Sequence, residues 1–347
     1  MKLICKLNLS NKKDEGHISQ IVTGFMMLKN KGIIDLEINR TNKHPFTGIV
    51  EVILNNKMNI LYDMADGYVF DQQIVREYAK NADFYFKRSF NESYHSQYNY
   101  NIYPIGFNYH VTTKGNILDK PVDQSLISQL KWYTKEILGK NYHQNFYVDD
   151  FEFLPRKIDS SPMILFITRT WSNEDGLDFN ETFEIDNFRA ECIRGLKKEY
   201  GNNFIGGFSI RDFAKQNYPD CLLDESITNR MNFMRLVKNS DICISTIGLH
   251  KSNGWKLGEY IAASKAIVSE KLHYEVTGDF SQDKNYLEFT TVEECVKQTT
   301  RLFNNKELIY QLQKNNQEYY HNFLRPDKLV LNSLMIATGK ELGLKIS

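Results

Sequence analysis

The stretch that decides the fold reads Ser240-Asp-Ile-Cys-Ile-Ser-Thr-Ile-Gly-Leu-His-Lys-Ser-Asn-Gly-Trp-Lys-Leu-Gly-Glu-Tyr-Ile-Ala-Ala-Ser-Lys-Ala-Ile-Val-Ser-Glu270. Asp241 to Ser245 is short and apolar, as a buried strand is, and Ala266 to Ser269 is a second such run. Between them lie a polar loop containing Gly248, Asn253 and Gly254, and a stretch with helical spacing from Lys256 to Ser264. Strand, glycine loop, helix and strand form one βαβ unit, which implies a parallel sheet. The N-terminus of a helix carries unpaired N–H groups and about half a positive charge, so the loop–helix junction suits a phosphate group. Lys256, in the first helical turn, adds a point charge, and Glu259, one turn in, adds an acceptor. Each also has an ordinary reading, as a solvated lysine and as a glutamate complementing the helix dipole.

The same alternation extends in both directions. After a break at Asp159-Ser160-Ser161-Pro162, a strand is predicted over Met163–Thr168, with helices over Asn187–Tyr200 and Asn229–Asn239 and a strand at Phe204–Ile205. Leu287–Phe289 reads as a last strand, followed by helices over Val292–Phe303, Lys306–Tyr320 and Leu329–Leu342. The N-terminal half opens with a strand at Leu3–Leu7, a helix carrying Ile18, Ile21, Val22, Phe25 and Leu28, and a strand at Ile33–Ile38. Strands at Ile49–Leu54 and Ile60–Tyr62 flank an Asn55-Asn56 turn; Asp71–Lys80 and Val122–Leu138 look helical, and Asp83–Phe86 and Ile102–Phe107 extended. The expectation is an α/β chain of two Rossmann-like domains, residues 1–158 and 159–347, with the ligand cleft between them at the carboxyl ends of the strands.

The segment from Ser240 to Glu270 resembles the donor-binding segment of the GT-B glycosyltransferases, in which a glycine-rich loop leads into a helix carrying Glu-(Ala/Tyr)-x-Ala. The resemblance implies that Glu259 holds the nucleotide ribose, while Lys256, the loop around Gly248, Asn253 and Gly254 and the helix N-terminus hold the donor diphosphate. Ile164-Leu165-Phe166-Ile167-Thr168-Arg169 resembles the first strand of the family's C-terminal domain, which implies a phosphate-clamping role for Arg169; a bidentate guanidinium suits that charge. Two departures stand out. The position eight before Glu259, where retaining members carry a second glutamate, is Lys251, and the downstream Lys-Gly of many relatives is replaced by Asn173-Glu174-Asp175-Gly176. The retaining or inverting outcome therefore stays open.

On the acceptor side, Glu15-Gly16-His17 resembles the Gly-His of inverting members, whose imidazole deprotonates the acceptor hydroxyl. The competing account of His17 is a helix cap. Asp63 and Asp66, at a strand end, are rival bases or partners for the histidine, and Asp-x-x-Asp-Gly is also ordinary turn chemistry with Gly67 at positive φ. Arg88 is placed to meet an anionic acceptor, its plain alternative being a surface charge.

Lys plus Arg and Asp plus Glu both number 43, so the formal charge is zero. This argues against a nucleic acid partner, which needs a concentrated basic face. The five scattered cysteines include no zinc-type pair and read as reduced, buried thiols. No apolar run approaches a membrane span or a signal-peptide core, so a cytoplasmic protein is expected, with peripheral attachment at the inner membrane face left open. No Asp-x-Asp metal motif occurs where a donor-bound ion would need one, and neither metal nor cofactor is expected beyond the nucleotide sugar itself. The function implied is sugar transfer from a nucleotide sugar to a saccharide or lipid-linked acceptor in polysaccharide or glycoconjugate biosynthesis. A nucleotide-sugar epimerase and a non-catalytic nucleotide-sugar-binding protein are the alternatives.

Overall fold

The computed structural model describes residues 2–10, 15–41, 48–68, 80–95, 101–119, 125–138, 146–172 and 177–339. The chain divides into two compact units, one made of residues 1–149, 274–278 and 321–347, the other of residues 150–273 and 279–320.

The first unit is built on β1 (Leu3–Ser10), β2 (Ile34–Thr41), β3 (Ile49–Leu54), β4 (Met58–Asp63), β5 (Phe84–Lys87) and β6 (Ile102–Pro104), in the order β2-β1-β3-β4-β5-β6. β1 pairs parallel with β2, and β4 with β5 and β5 with β6, while β3 runs antiparallel to both β1 and β4. The βαβ opening is thus present, with α1 (Glu15–Asn30) as its crossover. On α1 the buried residues Ile18, Ile21, Val22, Phe25 and Leu28 recur every three or four positions. The expected Asn55-Asn56 turn joins β3 to β4 with φ of 51° and 57°, and the Lys57 N–H donates to the Leu54 carbonyl at 3.1 Å. Positive φ at both central positions is the hairpin turn that matches strand twist, and asparagine tolerates it. A further helix, α2 (Leu126–Ile137), covers most of the predicted span. The helix expected over Asp71–Lys80 falls almost wholly outside the described residues, and β6 stops at Pro104, three residues short of its predicted end.

The second unit carries β7 (Ile164–Thr168), β8 (Phe204–Phe208), β9 (Ile242–Ser245), β10 (Ala266–Glu270) and β11 (Tyr286–Phe289), all parallel, in the order β11-β10-β9-β7-β8. Every residue of β7 and β9 is buried, as expected of parallel strands covered on both faces. The longer helices are α3 (Phe179–Tyr200), α4 (Arg230–Asn239), α5 (Trp255–Ala262), α6 (Val292–Phe303) and α7 (Lys306–Tyr319). α3 starts eight residues before its predicted beginning, at an N-cap the pattern reading passed over: Asp178 Oδ1 accepts from the Glu181 N–H at 2.9 Å.

Two boundaries differ from expectation. The first unit ends at Asp149 rather than at 158, and the last helix, α8 (Pro326–Thr338), belongs to it and not to the second unit. The reason is packing at Gly24 of α1. A Cβ there would lie 2.2 Å from the Pro326 carbonyl oxygen and 2.5 Å from Val330 Cγ2, so only glycine lets the two helices approach so closely. Tyr62 on β4 completes the joint, its hydroxyl 2.8 Å from Ser333 Oγ of α8. α8 ends at Thr338, four residues before the predicted end, with Gly339 as its C-cap at φ 58°.

Candidate functional site

In the second unit the connections from β7 and β9 leave the sheet in opposite directions, β7 to β8 on one side and β9 to β10 on the other. Open parallel sheets bind ligands at such a switch point, beyond the carboxyl ends of the strands. Two loops meet there. One follows β7 and carries Arg169, Thr170, Trp171 and Ser172; the other follows β9 and runs from Thr246 to Gly254 into α5.

Their backbones are held by buried charge. Arg189, on α3 and 5% exposed, donates from Nη1 to the Arg169 carbonyl and from Nη2 to the Ile247 carbonyl, both at 2.9 Å, and from Nε to Thr246 Oγ1 at 3.0 Å. One guanidinium therefore ties both loops together across the switch point. Asp186, one turn earlier, accepts from the N–H groups of Trp171 and Ser172 at 3.0 and 2.9 Å, and Glu270 at the end of β10 accepts from Ile247 N–H at 3.0 Å. Burial pushes both carboxyl pKa values up against these N–H groups and Arg189, and it lowers that of Arg189 to about 10.

On this frame sit the predicted donor residues. Arg169 is half-buried with its guanidinium 3.7 Å from the Trp171 ring centroid, a cation–π contact that fixes its orientation. At Gly248 a Cβ would approach Ser252 Oγ to 2.9 Å, so that hydroxyl would have to move; at Gly254 it would meet the Thr246 carbonyl at 3.2 Å. Asn253 is buried between them in sequence. Gly254 is the N-cap of α5, whose N-terminus is capped by no side chain among the described residues, so the positive end of the helix dipole is turned to the loop. Lys256 lies with its ammonium 3.9 Å from the Phe233 ring centroid. Burial brings its pKa down to about 8; Glu259 opposes that shift, while Arg230, Arg189 and Arg169 add to it. Arg230 shares the Phe233 ring with Lys256, its guanidinium 5.6 Å from the centroid.

Glu259 is 6% exposed, and its Oε1 accepts from Arg230 Nη1 at 2.8 Å. Arg230, at the start of α4, was not foreseen; no spacing in the sequence ties it to a residue 29 positions away. Arg189, Asp186 and Glu270 were missed for the same reason. Lys251, at the expected glutamate position, is exposed, and both it and His250 adopt left-handed backbone, φ 58° and 56°. The loop is pinned there by Glu181, whose Oε1 accepts from the His250 N–H at 2.5 Å.

The first unit gathers a second charged group at the carboxyl edge of its sheet. His17 stands in the first turn of α1, with Nε2 3.7 Å from Asp66 Oδ2, and Asn108 Nδ2 donates to its carbonyl at 2.8 Å. Asp66 also accepts a short hydrogen bond from Arg88. Burial works against the Asp66 carboxylate, but Arg88 and then His17 outweigh it and hold its pKa near 2. Gly67 takes the predicted positive φ, 56°.

Two predicted acceptor-side residues have other work. Asp63 is fully buried, accepting from Tyr85 Oη at 2.6 Å, Lys87 Nζ at 2.9 Å and the Ala65 N–H at 3.0 Å. Its oxygens are committed, so Asp63 is the turn-forming aspartate and Asp66 the one beside the histidine. Arg88 is 2% exposed and binds Asp66 and the Met64 carbonyl, a buried clamp in place of a surface charge.

No protein-family model matches the chain, and no curated protein matches it in sequence. Among solved structures it is similar to HepE of Anabaena in complex with UDP, at 12% identity and a TM-score of 0.47, covering 98% of this chain and 100% of that one. It is also similar to TarM (11%, TM-score 0.45, 79% of this chain), of which it spans about half the length, 48%. A glycosyltransferase from Rickettsia africae matches over 97% of both chains, at 15% identity and a TM-score of 0.39.

Proposed function

We propose that the chain is a glycosyltransferase whose second unit binds the nucleoside diphosphate of a nucleotide-sugar donor and whose first unit activates the acceptor. One observation carries this reading: Arg230 and Lys256 share the Phe233 ring, 5.6 and 3.9 Å from its centroid, beside the N-terminus of α5, which no side chain caps, while Arg169 lies on the facing loop at the switch point of a parallel sheet. Their mutual repulsion is a cost to the empty protein that a diphosphate removes. In this reading Gly248 and Gly254 let the phosphates approach the backbone, and Glu259, oriented by Arg230, accepts from the ribose hydroxyls.

His17 is the proposed base, with Asp66 orienting it and stabilising the imidazolium. The acceptor O–H gives its proton to the imidazole, its oxygen bonds to the anomeric carbon, and the sugar–phosphate bond breaks with its electron pair leaving on the diphosphate. The cationic cluster stabilises that developing charge, so no metal ion is invoked. The acceptor is proposed to be a saccharide or a lipid-linked saccharide, placing the reaction in polysaccharide or glycoconjugate biosynthesis on the cytoplasmic side of a membrane.

The test is thermal stabilisation of the purified protein by a panel of nucleoside diphosphates and their sugars, followed by release of nucleotide with and without candidate acceptors. Stabilisation by at least one diphosphate is expected. A folded protein stabilised by none overturns the reading, and release of nucleotide with no acceptor replaces transfer with epimerisation or hydrolysis.

A further inference from the structure

Helix α2 is inside out. Leu126, Ile127, Leu130, Tyr133 and Ile137, with Leu138 just beyond, are 52–84% exposed. At about 100° per residue these six occupy one continuous stripe of the helix surface. The opposite side carries the partly buried Ser128, Gln129 and Trp132. A soluble helix does the reverse, and an exposed apolar stripe of this size marks a surface that something covers.

Charge selects what covers it. Lys131 and Lys135, both exposed, lie one turn apart along one border of the stripe. An apolar face edged by lysine suits the boundary of an anionic bilayer, where side chains enter the acyl region and ammonium groups meet phosphate. Tyr133 adds a ring with a polar tip, the side-chain type that concentrates at that depth. Twelve residues make a helix about 18 Å long, too short to span a bilayer but long enough to lie along it. We propose that α2 is a membrane-docking helix that seats the first unit on an anionic lipid surface through Leu126, Ile127, Leu130, Tyr133, Ile137 and Leu138.

The test is cosedimentation of the full chain with phosphatidylglycerol–phosphatidylcholine vesicles and with vesicles of phosphatidylcholine alone. Binding to the anionic vesicles, and weaker binding to the neutral ones, is expected. Leu130→Ser with Ile137→Ser should lower the partition coefficient by about tenfold or more, since two large apolar anchors are lost. Lys131→Glu with Lys135→Glu, which touches no apolar residue, should lower it for the anionic vesicles alone. All four positions are solvent-exposed, so the melting temperature should hold in both variants. Absence of vesicle binding, or binding that neither pair alters, overturns the proposal. So does concentration-dependent self-association in ultracentrifugation that Leu130→Ser with Ile137→Ser abolishes, because a second copy would then be the occupant. Nucleoside-diphosphate binding, measured on the same variants, should be unchanged, so the donor-site reading fails or stands separately.

Discussion

Arg230 Nη1 meets Glu259 Oε1 at 2.8 Å, joining the first residue of α4 to the middle of α5 with the carboxylate almost wholly enclosed. Removing one member of an enclosed pair strands the other, at a cost of about 3 kcal/mol or more. Arg230→Met and Glu259→Gln should each lower the melting temperature and weaken nucleoside-diphosphate binding. The double variant should lose less than the sum, which a double-mutant cycle by calorimetry will measure. Additive losses would mean that the pair does not act as a unit.

Lys256 links donor affinity to pH. Its pKa in the empty protein is lowered to about 8, and only the ammonium attracts phosphate. Bound phosphate raises that pKa, so affinity should be flat below pH 8 and fall as pH rises above it. Titration calorimetry across that range should show the decline in the wild type and its absence in Lys256→Met. A Lys256→Met protein with an unchanged slope would assign the titration to another group.

Arg189 touches no proposed ligand, yet it holds the backbone on both sides of the switch point. Arg189→Gln is expected to weaken nucleoside-diphosphate binding by about tenfold through loss of loop alignment. Arg189→Lys keeps the charge but not the fork, and should recover little of it. Full recovery by lysine would show that charge alone suffices.

Substituting His17 by Ala should cut turnover by about 100-fold or more and leave nucleoside-diphosphate affinity within twofold, the signature of a lost proton acceptor. Asp66→Asn should follow it in turnover. A His17→Ala enzyme of ordinary activity would move the base elsewhere.

The Asp66 carboxylate also carries an acid limit. Its folded pKa is depressed from 3.8 to about 2, so its contribution to stability is present above the unfolded value and disappears as pH falls between about 4 and 2. In Asp66→Asn the acid limb of the melting-temperature profile should be shallower in that window.

Much of this was legible before the structure, because local chemistry writes it. β9, the glycine loop, α5 and β10 fall within two residues of the positions expected from apolar period and glycine placement. The Asn55-Asn56 and Gly67 turns were readable for the same reason. What escaped is what tertiary proximity alone creates. Arg189 lies 57 residues from the threonine it binds, and Arg230 29 from its glutamate, distances at which no periodicity survives. Asp63 and Asp66 look alike in sequence; only the three donors converging on Asp63 separate an anchor from a candidate partner of His17. The docking of α8 was hidden because Gly24 inside α1 reads as a weak helix residue until Pro326 is seen against it.

That contact also sets an order of events during synthesis. Most of the first unit precedes the second along the chain, yet a wall of its core is α8, which emerges after the whole second unit. Nascent α1 must wait with Gly24 uncovered while about 300 residues are translated past it. Fragments cut at the sequence midpoint would for the same reason yield an N-terminal half with an open core, and a circular permutant that begins at residue 321 would close it first.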